Sequence, residues 1–237
     1  MAKRKLASGK TQKFFKKGKS SSSSPNEGTK EMRQLSPFII SGGENTEHYY
    51  FKHLSAITPY KFDIRPKYFG KESNFVNDFP KRIKEILKNN ADAKIYCIFD
   101  YDTIHNSDTN RKNYAKFQAA IADYINKGVV ILCPTMPCFE YWFLLHFENN
   151  SQLITSCDAV DNILERYMRP YFSDSKSSFK DILKSTRHIE KPEWVKKLCD
   201  DNKLQTAITR AKSNYNKAID EKDLDNHSFT LIFKAFE

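Results

Sequence analysis

Two carboxylates one residue apart, Asp100 and Asp102, follow the apolar run Ala93–Phe99 (AKIYCIF). If that run is a buried strand, the i, i+2 spacing turns both acids toward one side of its exposed end. Paired hard oxygens in such a place suit Mg²⁺ or Mn²⁺, which one or two carboxylates hold together with water and substrate phosphate oxygens. The same acids also serve well in loops and at helix N-termini, and that use stands beside the metal reading. A D-x-D-x-T phosphatase pattern of the haloacid-dehalogenase type is excluded. Thr103 directly follows Asp102, one position too early, and the motif ends the third apolar run, not the first.

A second group is Gly42-Gly43-Glu44-Asn45-Thr46-Glu47, placed between the apolar run Pro37–Ser41 and a helix-patterned stretch. The glycines permit close backbone approach, and the amides of a following helix attract anions, so Gly42, Gly43 and Thr46 are candidate phosphate contacts. Thr46 is also a suitable N-cap, and Glu44 or Glu47 would favour the positive helix end. Functionally, one of these two acids would act as metal ligand or general base facing Asp100 and Asp102. A third group lies in Phe139–Phe147, where Glu140 and His146 interrupt an almost wholly apolar stretch. A buried carboxylate without a partner is costly, which makes Glu140 a candidate second support for the metal site. His146 reads as a core histidine or, less simply, a supporting group. His105, three residues past Asp102, is either a loop residue or a phosphate contact.

The elements that must position these groups follow from periodicity. Pro37–Ser41, 61–68, Ala93–Phe99 and Val129–Cys133 read as strands, and each is followed by helical spacing: Thr46–Ala56, Asn74–Asn89, Asn113–Asn126 and Phe139–Phe147. Gly128 marks the end of the third helix. Four such alternations predict an α/β fold, a mainly parallel four-stranded sheet with flanking helices, whose ligands sit beyond the carboxyl ends of the strands. After residue 150 the pattern turns helical, near 158–168, 177–185, 192–199 and 202–219. The expected organisation is a disordered basic arm over 1–35, an α/β domain over 36–150 and a C-terminal helical extension over 151–237.

Charge is unevenly spread. The 237-residue chain carries a net +10, and residues 1–33 hold ten Lys and Arg against two acids, a surplus of eight. Such an arm binds polyanions without reading sequence, or simply keeps the chain soluble. No apolar run approaches the length of a membrane span, and the basic start lacks the apolar core of a secretory signal, so a cytoplasmic, non-membrane protein is expected. Five cysteines without a C-x-x-C pair argue against a zinc site or a disulfide framework, and Cys97 and Cys133 read as small buried hydrophobes.

Three stretches together resemble the RloB family. Phe38–Phe51 (FIISGGENTEHYYF) is similar to its strand followed by E-G-x-x-T-E-x-x-Y-F, and Asp100/Asp102 to its apolar strand ending in D-x-D. Pro137–Phe147 (PCFEYWFLLHF) is similar to N-P-x-F-E-x-W-x-L-L-H-F. The resemblance covers 37–150 well and the C-terminal helices, including Ala207–Ala218, loosely. It implies a Toprim-like fold related to the OLD-family nucleases, in proteins that accompany an ATPase in restriction or abortive-infection loci. It also implies a glutamate where this chain has Gly42, so Glu44 or Glu47 must take that role or catalysis is lost. The leading expectation is a Mg²⁺-dependent nuclease cutting DNA or RNA in anti-phage defence. The rivals are an inactive nucleic-acid-binding adaptor or sensor and, with less support, a nucleotide-binding regulatory domain, since the glycine loop lacks both the P-loop Lys and the third dinucleotide-site glycine.

Overall fold

The computed structural model describes residues 36–43, 45–65, 75–173 and 176–237. The basic arm, Glu44 and the far part of the expected second strand lie outside the described residues. The chain first forms β1 (Phe38–Ser41), α1 (Thr46–Ile57), β2 (Asp63–Ile64), α2 (Phe75–Asn89) and β3 (Ile95–Asp100). There follow α3 (Asp102–His105), α4 (Asp108–Ala120), α5 (Ala122–Asn126) and β4 (Val130–Met136). The remainder is α6 (Glu140–Leu144), α7 (Cys157–Met168), α8 (Phe179–Lys184), α9 (Thr186–Ile189), α10 (Glu193–Cys199), α11 (Lys203–Asp220) and β5 (Phe229–Thr230).

The sheet is five-stranded and mixed, in the order β2-β1-β3-β4-β5. The first four strands run parallel, and β5 closes the β4 edge in the antiparallel sense, pairing Thr135 with Thr230 and Met136 with Phe229. The four-stranded expectation missed β5 because two residues carry no readable alternation. Other departures are local. The expected helix over Asn113–Asn126 is two helices broken at Ile121, whose φ of −123° leaves the helical region. The apolar segment after β4 holds only a five-residue helix before it turns. Gly128 ends α5 with φ +67°, the left-handed conformation glycine adopts at no steric cost.

Strand residues alternate between two cores, as a period of two requires. Ile39, Tyr96, Ile98 and Cys133 join one core; Phe38, Ile40, Ile95, Cys97, Phe99 and Val130 join the other. The second core is completed by Phe79, Ile83 and Ile86 of α2 and Phe117 of α4. The first is larger, with Tyr50 and Phe51 of α1, Trp142 and Phe143 of α6, Leu164 of α7 and Trp194 of α10. The C-terminal helices therefore share a core with β1, β3 and β4. Trp142 is fully buried, its indole N–H donating to Tyr50 Oη at 2.8 Å. Truncating one such side chain costs ~3–5 kcal/mol. That packing fixes the helix carrying Glu140 against the helix carrying Glu47. Among the described residues, no helix is long and apolar enough to cross a membrane.

Candidate functional site

Glu47, Asp100 and Glu140 leave the sheet at the carboxyl ends of β1, β3 and β4, and with Asp161 of α7 they line one cavity of about 300 Å³. The local sequence explains how each arrives there. β1 stops at Gly42, whose amide still donates to Ile98 O at 3.0 Å, so the following loop is anchored against β3. Glu47 lies in the first turn of α1 and folds back over Gly43, where the amides of Gly43 and of Glu47 itself donate to its carboxylate. Asp100 ends β3, and its Oδ1 accepts from the Phe139 amide at 2.8 Å. That bond ties β3 to the start of α6, and Glu140 is the next residue. Asp100 thus holds the start of α6 in place while also lining the cavity.

The electrostatics are those of crowded acids. Burial first, then the charges of Glu140 and Glu47, hold Asp100 well above the usual carboxylate range. Burial and the Glu140 charge push Glu47 up to about 7, against the pull of its two backbone donors and Lys184. Burial and Glu140 likewise push Asp161 up to about 7. Like charges and low dielectric act in the same direction here, both disfavouring the ionised form. Lys184, at the end of α8, is the cation among the described residues that line the cavity.

Several sequence-predicted residues are placed elsewhere or otherwise engaged. Asp102 does not line the cavity with Asp100. The chain leaves the strand at Asp100 and turns at Tyr101 into α3, so the i, i+2 rule for strands stops applying, and Asp102 Oδ1 accepts from the Thr103 amide at 2.6 Å. Thr46 lines the cavity but opens α1 without capping it, and its hydroxyl donates to Leu183 O at 2.8 Å. The Gly42 and Gly43 amides serve Ile98 and Glu47, so the donors expected for phosphate are engaged within the protein. His105 contacts Asn106 Oδ1 at 3.0 Å in α3, outside the cavity lining. His146 is buried away from it, with Nδ1–H donating to Trp142 O at 3.0 Å and Nε2 lacking a partner. Burial pulls His146 down to about 4.

Asp161 and Lys184 were not anticipated. For Asp161 a signal existed: it lies in the buried stripe of α7, beside Val160, Leu164 and Met168, where a carboxylate needs a reason. Lys184 offered none, being one lysine among many on a solvated face.

The donor set suits a hard divalent cation. The carboxylates are oxygen ligands, and Oδ1 of the buried Asp161 has no hydrogen-bond partner. Among the described residues, no three His, Cys, Asp or Glu side chains already converge on one metal position. The acids ring a cavity instead, which leaves room for the waters and substrate oxygens that Mg²⁺ retains.

Fold and site thus define an α/β protein with a carboxylate-lined pocket at the carboxyl edge of its parallel strands. The family described as RloB-like protein matches residues 38–237, and the chain belongs to it. The match runs to the C-terminus, so the helices that resembled the family loosely are part of it. No curated protein and no solved structure matches the chain.

Proposed function

We propose that the pocket is a divalent-cation-dependent phosphodiesterase site acting on nucleic acid, built on a Toprim-like arrangement of the four parallel strands. The observation that carries this reading is the convergence of Glu47, Asp100 and Glu140, from three strand ends, on one cavity. Asp100, Glu47 and Glu140 would hold Mg²⁺ or Mn²⁺, which when bound polarises a phosphoryl oxygen. A bound cation would favour the ionised form of Glu47, whose carboxylate lies over Gly43 and would accept a proton from the attacking water. Lys184 at the rim holds a phosphate oxygen as a point charge. The basic segment 1–33 adds affinity for the polyanion without selecting sequence. The family resemblance further suggests a role in anti-phage defence beside a partner ATPase.

A second reading is favoured by one residue. Gly42 stands where the resemblance implies the catalytic glutamate, and an adaptor that binds nucleic acid without cutting it would tolerate that loss.

The test is incubation of the full chain with Mn²⁺ or Mg²⁺ and DNA, RNA or tRNA, alone and with the neighbouring ATPase. Cleavage that disappears in Asp100→Asn at unchanged melting temperature supports the enzyme, because Asn keeps an oxygen for the Phe139 amide while losing the charge. Binding without cleavage in every combination supports the adaptor.

A further inference from the structure

We infer that the outer edge of β4 is a docking slot for an extended segment of a partner protein, which adds as a strand in line with β5 and carries an acidic side chain for Lys234. The slot is separate from the carboxylate pocket and does not depend on what that pocket binds.

Backbone hydrogen bonding defines the slot. The Ile95 amide donates to Val129 O and the Tyr101 amide to Thr135 O, so the odd-numbered residues of β4 serve β3. The even-numbered residues turn their backbone groups to the outer edge. β5 uses only the far end of that edge, pairing with Thr135 and Met136, and the Leu231 amide just beyond it donates to Pro134 O. Among the described residues, nothing bonds the outward amides and carbonyls of Val130 and Leu132. Val130 is 1% exposed, and backbone groups so buried are ordinarily paired. A groove of about 540 Å³ lies along this bare stretch, and its walls come from both faces of the sheet. Tyr114, Ile125 and Leu132 pack with the core of α2 and α4, while Ile131, Tyr215 and Leu231 pack with the larger one. An added strand would satisfy the edge and send successive side chains to the two walls in turn. Lys234 is the charged residue among those lining the groove, with its ammonium 5.9 Å from the Tyr215 ring centroid. Among the described residues, no acid pairs with it. A lysine beside an open edge discourages indiscriminate pairing and admits a strand that brings an acid. The β4 segment of a second copy, VILCPTM, has no acid to offer, which favours a different protein as the occupant.

The probe is a displayed library of random peptides of strand length, selected on the full chain, with the recovered peptides synthesised and measured by calorimetry. They are expected to alternate apolar residues and to share one acid. N-methylation of the alternate peptide amides that face Val130 and Leu132 should weaken binding at least ~10-fold, a loss that helical or side-chain-only binding would not show. Lys234→Glu should turn the preference from acidic to basic peptides at unchanged melting temperature. Leu132→Pro removes one outward amide, as Pro134 already does two residues on, and should abolish binding. Because the N-methylated peptides act on folded wild type, the test survives a Pro variant that fails to fold. A library without enrichment, or peptides indifferent to both N-methylation and Lys234→Glu, overturns the slot. A chain that selects no peptide but self-associates, and loses that association in Leu132→Pro, gives the edge to a second copy and overturns the partner.

Discussion

The carboxylate of Glu47 occupies the space that a β-carbon on Gly43 would fill. Gly43 lies three positions before the helix that carries Glu47, so the missing side chain of the loop's second glycine leaves room for that carboxylate. Gly43→Ala therefore acts on the pocket more than on the fold. The group displaced is the end of a flexible side chain, so the stability loss should stay near ~1 kcal/mol. Mn²⁺ affinity and cleavage should fall as far as in Glu47→Gln. Calorimetry and a melting curve on the two variants separate these effects, and full Mn²⁺ affinity in Gly43→Ala would show that Glu47 is not held there for the cation.

Gly42 behaves differently. A β-carbon there meets Ile98 O at 3.9 Å and Phe99 Cβ at 4.0 Å, which is ordinary contact. Gly42→Ala is therefore expected to fold like the parent, and Gly42→Glu to fold with the added cost of one more acid near Asp100 and Glu47. If Glu47 serves the site as proposed, the added acid should leave cleavage within a few-fold. If wild type is inert and Gly42→Glu creates cleavage, the natural chain is a non-catalytic relative.

Tyr50 and Trp142 come from two of the stretches that resemble the family, and they meet through the indole N–H. Tyr50→Phe keeps the ring and leaves that buried donor bare, at a cost of ~1–3 kcal/mol. Because the pair sets α6 against α1, the loss should appear in urea unfolding at pH 7 in the presence and absence of Mn²⁺ alike. No change in midpoint would mean that water or another acceptor replaces the phenol.

His146 supplies a pH dependence of definite sign. Its folded value is depressed to about 4 from the unfolded 6.5, by burial first, with Arg210 and Lys203 adding to the effect. The stability it contributes is complete above pH 6.5 and is lost as pH falls toward 4, in total ~3 kcal/mol. Glu47 and Asp161 act oppositely. Their raised folded values stabilise the metal-free protein, fully below pH 4.5 for Glu47 and below pH 3.8 for Asp161, and that stabilisation is lost as pH rises through about 7. The difference in unfolding free energy between wild type and His146→Gln should therefore shrink between pH 6.5 and 4. A constant difference would place the histidine in water.

What the sequence determined by itself is the three central parallel strands and three of the acids. Apolar runs of strand length followed by helical spacing identify β1, β3 and β4, because burial on both faces leaves little freedom in composition. Acids or acid-bearing loops at those strand ends then mark Glu47, Asp100 and Glu140, since a parallel sheet places the ends together. Tertiary structure decided the rest. The i, i+2 pairing of Asp100 with Asp102 assumes that the strand continues, and the turn at Tyr101 ends it. Glu140 takes the place beside Asp100 because the Phe139 amide is bonded to Asp100 itself, a contact across 39 residues. Asp161 and Lys184 reach the pocket only because α7 and α8 fold back over the sheet's larger core. No spacing along the chain relates them to the strand-end acids, so their part in the site exists only once the helices pack.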